Sequence, residues 1–110
     1  MLYKFKSKAT GDLIMLEPNG RQILGLIGKD DDAHGQKGIV LPAEMPAAIS
    51  ALEQAIALDE AAIQQRLQDA QAAGETLSRT DLVSLRQRAV PFIDMMRRCH
   101  RADTAIVWGV

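Results

Sequence analysis

A chain of 110 residues with 47% hydrophobic and 25% charged side chains has the material for one ordinary core, and a single domain spanning residues 1–110 is the expectation. Its one cysteine, Cys99, excludes an internal disulfide framework and fits a reducing compartment. A formal net charge of −1 argues against general binding to a phosphate backbone, and no apolar run reaches the roughly eighteen residues that a membrane-crossing helix needs.

The chain opens on MLYKFKS, where Tyr3 and Phe5 alternate with Lys4 and Lys6. Period two puts the aromatic rings on one face and the ammonium groups on the other, which predicts a half-buried strand. The same alternation is not the apolar core of a secretory signal, so a soluble cytoplasmic protein is expected. Asp12 to Leu16 (DLIML) is a second short strand, most simply a hairpin partner of the first. After Pro18-Asn19-Gly20, residues Ile23, Leu24, Leu26 and Ile27 fall on one stripe only if the backbone is helical, with Gly28 as the stop. A third strand is the rival reading there, and a short helix is preferred. Lys29 to Gly38 is rich in Asp, Gly and Lys and reads as a loop.

From Pro46 an Ala-rich segment runs to Gly74 without another Pro or Gly. Ile49, Leu52, Ile56, Ile63, Leu67 and Ala70 make its apolar stripe, interrupted where Asp59 and Glu60 stand. At about 1.5 Å per residue such a helix is on the order of 40 Å long, so it either breaks near Leu58 or projects at its far end. Ser78 to Asp81 supplies capping residues for a last helix, whose stripe is Leu82, Leu85, Ala89, Phe92, Ile93 and Met96, with Pro91 pointing away from it. Thr104 to Val110 (TAIVWGV) is apolar and β-branched enough to be a terminal strand. Free ends fray unless they are tied down, so both terminal strands are expected side by side in one sheet. The fold class is therefore α+β: a small, about three-stranded, mainly antiparallel sheet including both termini, with three or four helices packed on one face.

Charge is divided along the chain. Residues 1–29 hold five basic and two acidic groups, residues 30–75 two and nine, and residues 76–110 six and three. An acidic helix lying against a basic one would cancel these fields internally, which is preferred over an external polyanion.

Chemical motifs fail in detail. Gly25-Leu26-Ile27-Gly28-Lys29 has neither the spacing of a phosphate loop nor the glycine order of a dinucleotide site, and its middle residues suit a core better than a nucleic-acid clamp. Asp30, Asp31 and Asp32 start like a calcium loop, but Leu41 stands where a bidentate Glu is required. Cys99 and His100 are sequence neighbours about 100° apart on a helix, so they do not form a dyad, and structural burial of Cys99 is preferred. Two histidines and one cysteine give no zinc site. Arg86, Arg97 and Arg101 cluster on one flank of the last helix, where they either pair with Asp59, Glu60 or Asp69 or meet an anionic ligand. Trp108 lies on a strand apolar on both faces, which is either central in the sheet or covered by a partner.

Three separated segments, MLYKFKS, VSLRQRAVPFIDMMRR from Val83 to Arg98, and IVWGV, resemble the bacterial family catalogued as domain of unknown function 1840. The resemblance covers nearly the whole chain and implies a small stand-alone cytoplasmic bacterial protein. It carries no activity, cofactor or catalytic residue over to these positions. The expected function is a non-enzymatic interaction module, a homodimer or a partner of another protein, meeting it through the sheet face bearing Trp108 or the far end of the long helix. The alternative is a sensor of a small anionic ligand or RNA through Arg86, Arg97 and Arg101. No catalytic residue, metal or cofactor is expected, and neither is a nucleic-acid or membrane partner in the leading reading.

Overall fold

The computed structural model describes residues 2–29, 37–76 and 85–109. Strands β1 (Leu2–Phe5) and β2 (Leu13–Leu16) form an antiparallel hairpin in which Leu2 faces Leu16 and Phe5 faces Leu13. Helix α1 (Glu17–Leu26) follows at once, with Pro18 in its first turn. Strand β3 (Gly38–Val40) and a single 3-10 turn (Pro42–Glu44) lead into α2 (Met45–Ala72), then come α3 (Leu85–Arg101) and β4 (Ile106–Trp108). Within the described residues the class is α+β, as the patterning indicated.

The two terminal strands are neighbours. Beyond Phe5, the Lys6 amide donates to the Val107 carbonyl at 2.7 Å and the Val107 amide donates back to Lys6 at 2.9 Å. This bridge joins the β1–β2 hairpin to a second antiparallel ladder, β3–β4, so β4 lies between β1 and β3. The described strands number four in two ladders rather than about three in one sheet. The extra one, β3, is only three residues long and follows a polar loop, too little for a period-two signal to register. The segment read as turn then helix is one helix from Glu17, because Pro18-Asn19-Gly20 makes its first turn.

Two glycines are required by close approach. A Cβ on Gly20, inside α1, would lie 2.5 Å from the Tyr3 ring, and one on Gly38 would lie 2.6 Å from the Trp108 ring. Both aromatic side chains are thereby laid flat against backbone. Around them Phe5 packs on Phe92 and Trp108 at centroid separations of 4.8 and 5.7 Å, tilted pairs each worth about 0.5–1.5 kcal/mol beyond their buried area. Ile23 and Leu24 of α1, Met45, Leu52 and Ile56 of α2, and Ala89, Met96 and Cys99 of α3 complete this core.

Helix α2 is unbroken over 28 residues, roughly 42 Å of helix, and Leu58 is 74% exposed on its outer side. Of the two readings of this segment, breakage near Leu58 is excluded. Its stripe continues to Ile63 and Ala70, which are buried although they lie outside the central cluster. The proposed capping residues Ser78 to Asp81, Leu82, and the acidic stretch Asp30 to Asp32 lie outside the described residues.

Candidate functional site

The acidic and basic helices meet as the charge division suggested. Asp59 and Glu60, which interrupt the apolar stripe of α2, stand opposite the start of α3. The Asp59 Oδ2 accepts from the Leu85 amide at 2.8 Å, and Glu60 pairs with the Arg86 guanidinium. That hydrogen bond and the carboxylate's charge raise the Arg86 pKa above its ordinary value. Three turns further along α3, Arg97 Nη2 donates to Glu53 Oε1 at 2.8 Å. With both partners about half exposed, such a pair contributes on the order of 0.2–1 kcal/mol and chiefly sets register.

The flank of three arginines is therefore not one site. Arg86 and Arg97 border an open groove of about 470 Å³ between α2 and α3, floored by Ile56, Ala57, Val90 and Pro91. Arg97 also lines a second, shallower pocket of about 410 Å³, shared with Arg101, His100, Asp94, Pro46 and Ile49. Among the described residues no carboxylate lies within ion-pair distance of Arg101. Glu60 is the one anticipated partner that pairs with an arginine of this flank; Asp59 caps a backbone amide instead, and Glu53 was not anticipated.

Trp108 is corrected outright as a partner contact. Its side chain is fully buried among Phe5, Gly38 and the helices, because at its position β4 points toward the core. The face left open is the opposite one. On it stand Leu2, Ile14 and Leu16, which are 58, 56 and 61% exposed, together with Ile39 and Val107. Lys4 lies beside Ile14 on this face and pairs with Asp12 at 3.5 Å. The helices cover the other side, so two apolar patches stay open on this face, Leu2 with Ile14 and Leu16 on the hairpin and Val107 with Ile39 on the second ladder, and Lys4 and Lys6 of the first strand segment stand between them. Alternation along LIML shows that β2 is apolar on both faces, but it does not say which face the helices take.

Cys99 is fully buried, with its thiol donating to the Ser7 hydroxyl at 3.1 Å, in line with a structural role. His100 stays on the surface of α3. Among the described residues no cluster of three or more His, Cys, Asp or Glu is placed to hold a metal ion, and no helix is long and apolar enough to cross a membrane.

A family model described as domain of unknown function (DUF1840) matches residues 1–108. The chain belongs to the DUF1840 family. The match takes in both terminal strands and all three helices, so the bridge between Lys6 and Val107 and the facing charges of α2 and α3 lie within the DUF1840 region. No curated protein and no solved structure matches the chain.

Proposed function

We propose that this DUF1840 chain is a non-catalytic interaction module that acts as a homodimer, with the open face of the sheet meeting the same face of a second copy. The observation that carries this is the patch formed by Leu2, Ile14 and Leu16, side by side on the hairpin and each more than half exposed, with the less exposed Ile39 and Val107 on the same face beyond Lys4 and Lys6, since large apolar side chains lose hydration from their surroundings when they are covered. A second copy is the occupant favoured by charge. The net charge of −1 gives little repulsion between copies, and the two ion pairs that join α2 to α3 lie away from the open sheet face. A symmetric contact also needs only one patch, and one is present.

Area sets the strength. Four short strands spaced about 4.8 Å apart cover on the order of 200–300 Å² in plan, against about 800 Å² per partner in a standard interface, so a dimer dissociating in the micromolar range is expected. Sedimentation velocity across micromolar concentrations tests this directly. The wild type should shift from monomer to dimer with concentration, while Ile14→Lys with Leu16→Lys should stay monomeric at an unchanged melting temperature. A wild type that remains monomeric throughout, or a double variant that dimerises equally well, overturns the reading.

A further inference from the structure

We infer that the open pocket between the first turns of α2 and the last turns of α3 is a binding site for a small phosphate monoester with an apolar body. It shares no residue with the open sheet face and does not depend on dimerisation. Arg97, His100 and Arg101 stand at i, i+3 and i+4, so α3 presents all three side chains on one side of the helix. They line a space of about 410 Å³, within the range of small-ligand pockets and larger than a bare inorganic ion fills.

The chemistry of the lining specifies the ligand. Arg97 uses Nη2 on Glu53, which leaves other donors of its five N–H groups for a ligand oxygen. Arg101 has no carboxylate partner among the described residues, and planar guanidinium groups suit bidentate contact with phosphate. His100 adds a third nitrogen donor on the same side. Asp94 also lines the cavity, but Arg98 Nε holds its Oδ2 at 3.2 Å and offsets its charge. Pro46 and Ile49 of α2 form the remaining wall and offer nothing to a charged group. A ligand that satisfies both walls therefore carries its phosphate toward α3 and an apolar body toward α2.

Titration of the full chain with phenyl phosphate, inorganic phosphate and phenol, followed by amide chemical shifts at constant ionic strength, tests the site. Phenyl phosphate should saturate, shifting amides around residues 46–49 and 97–101, and should bind more tightly than either of its halves. Arg101→Ala should weaken it by about tenfold or more, whereas Arg66→Ala, an exposed arginine of α2 outside the cavity, should leave it unchanged. Arg101 is exposed at the end of α3, so its variant keeps the fold, and circular dichroism verifies that. Absence of saturation in the millimolar range, or equal affinity in Arg101→Ala, overturns the inference. So does a chain that binds short single-stranded RNA through Arg101 but ignores phenyl phosphate, since the ligand would then be a nucleic acid.

Discussion

The Asp59 carboxylate of α2 accepts a hydrogen bond from the Leu85 amide of α3 at 2.8 Å, so the acidic break in the long helix's apolar stripe is a point of attachment for the next helix. One turn of α2 thus gives up core contact to hold a backbone donor of α3. Its neighbour Glu60 fixes Arg86 beside it.

Replacing Asp59 by Ala should therefore cost about 1–3 kcal/mol, the usual range for leaving a part-buried backbone donor without its charged acceptor. Asp59→Asn, which keeps the acceptor, should recover most of this, and Glu60→Gln should cost less than Asp59→Ala because its ion pair is solvated. Urea denaturation of the three variants measures the order. Equal losses for Asp59→Ala and Glu60→Gln would show that the contact is general electrostatics rather than the hydrogen bond to the Leu85 amide.

Gly20→Ala should destabilise the fold by about 1–3 kcal/mol, although alanine at an exposed helix position usually improves on glycine by about 1 kcal/mol. The inversion comes from Tyr3, whose ring lies 2.5 Å from where the new methyl would sit. A melting temperature raised by this substitution would contradict the packing of α1 on β1.

Asp103 has φ of +52° in the turn that ends α3, where the Thr104 amide bonds back to the Cys99 carbonyl at 2.9 Å. Substitution by Gly should be neutral or stabilising by up to about 1 kcal/mol, whereas Val should destabilise by about 1–2 kcal/mol, since a branched side chain resists the left-handed region. Thermal unfolding of the two variants compares them at one site.

Cys99 should be protected from thiol reagents in the native state and react at the rate of a free thiol in denaturant, because its sulfur is fully buried and bonded to Ser7. Reaction with a disulfide reagent at rising urea concentrations follows this. Fast labelling without urea would mean that the junction of β1 and α3 opens readily.

Legibility differed by element for physical reasons. The helix stripes and the terminal strands show in sequence because burial on one side imposes a period of 3.6 or 2, and Leu52, Ile56, Phe92 and Tyr3 lie in the core as that period requires. The pairing of the ends was readable because Thr104 to Val110 is too apolar to be left free. Strand β3 was not, since three residues hold no period. At the candidate sites, residue type was informative and direction was not. Trp108 stood out as a large apolar side chain, but only the packing of the helices decides that it turns inward and Val107 outward. The arginine flank was visible on the helical wheel, whereas its division into Arg86 with Glu60, Arg97 with Glu53 and an Arg101 with no carboxylate partner among the described residues depends on the register of α2 against α3.

The bridge between Lys6 and Val107 makes the order of synthesis matter. Nearly the whole chain separates its two halves, so the β1–β2 hairpin and much of α2 can form on the ribosome while the slot beside β1 stays vacant. Phe5 has no Trp108 to lean on until β4 clears the exit tunnel. A nascent chain stalled just after Trp108, with β4 made but still inside the tunnel, should therefore be open to proteases, and its release should close the sheet in a single late step.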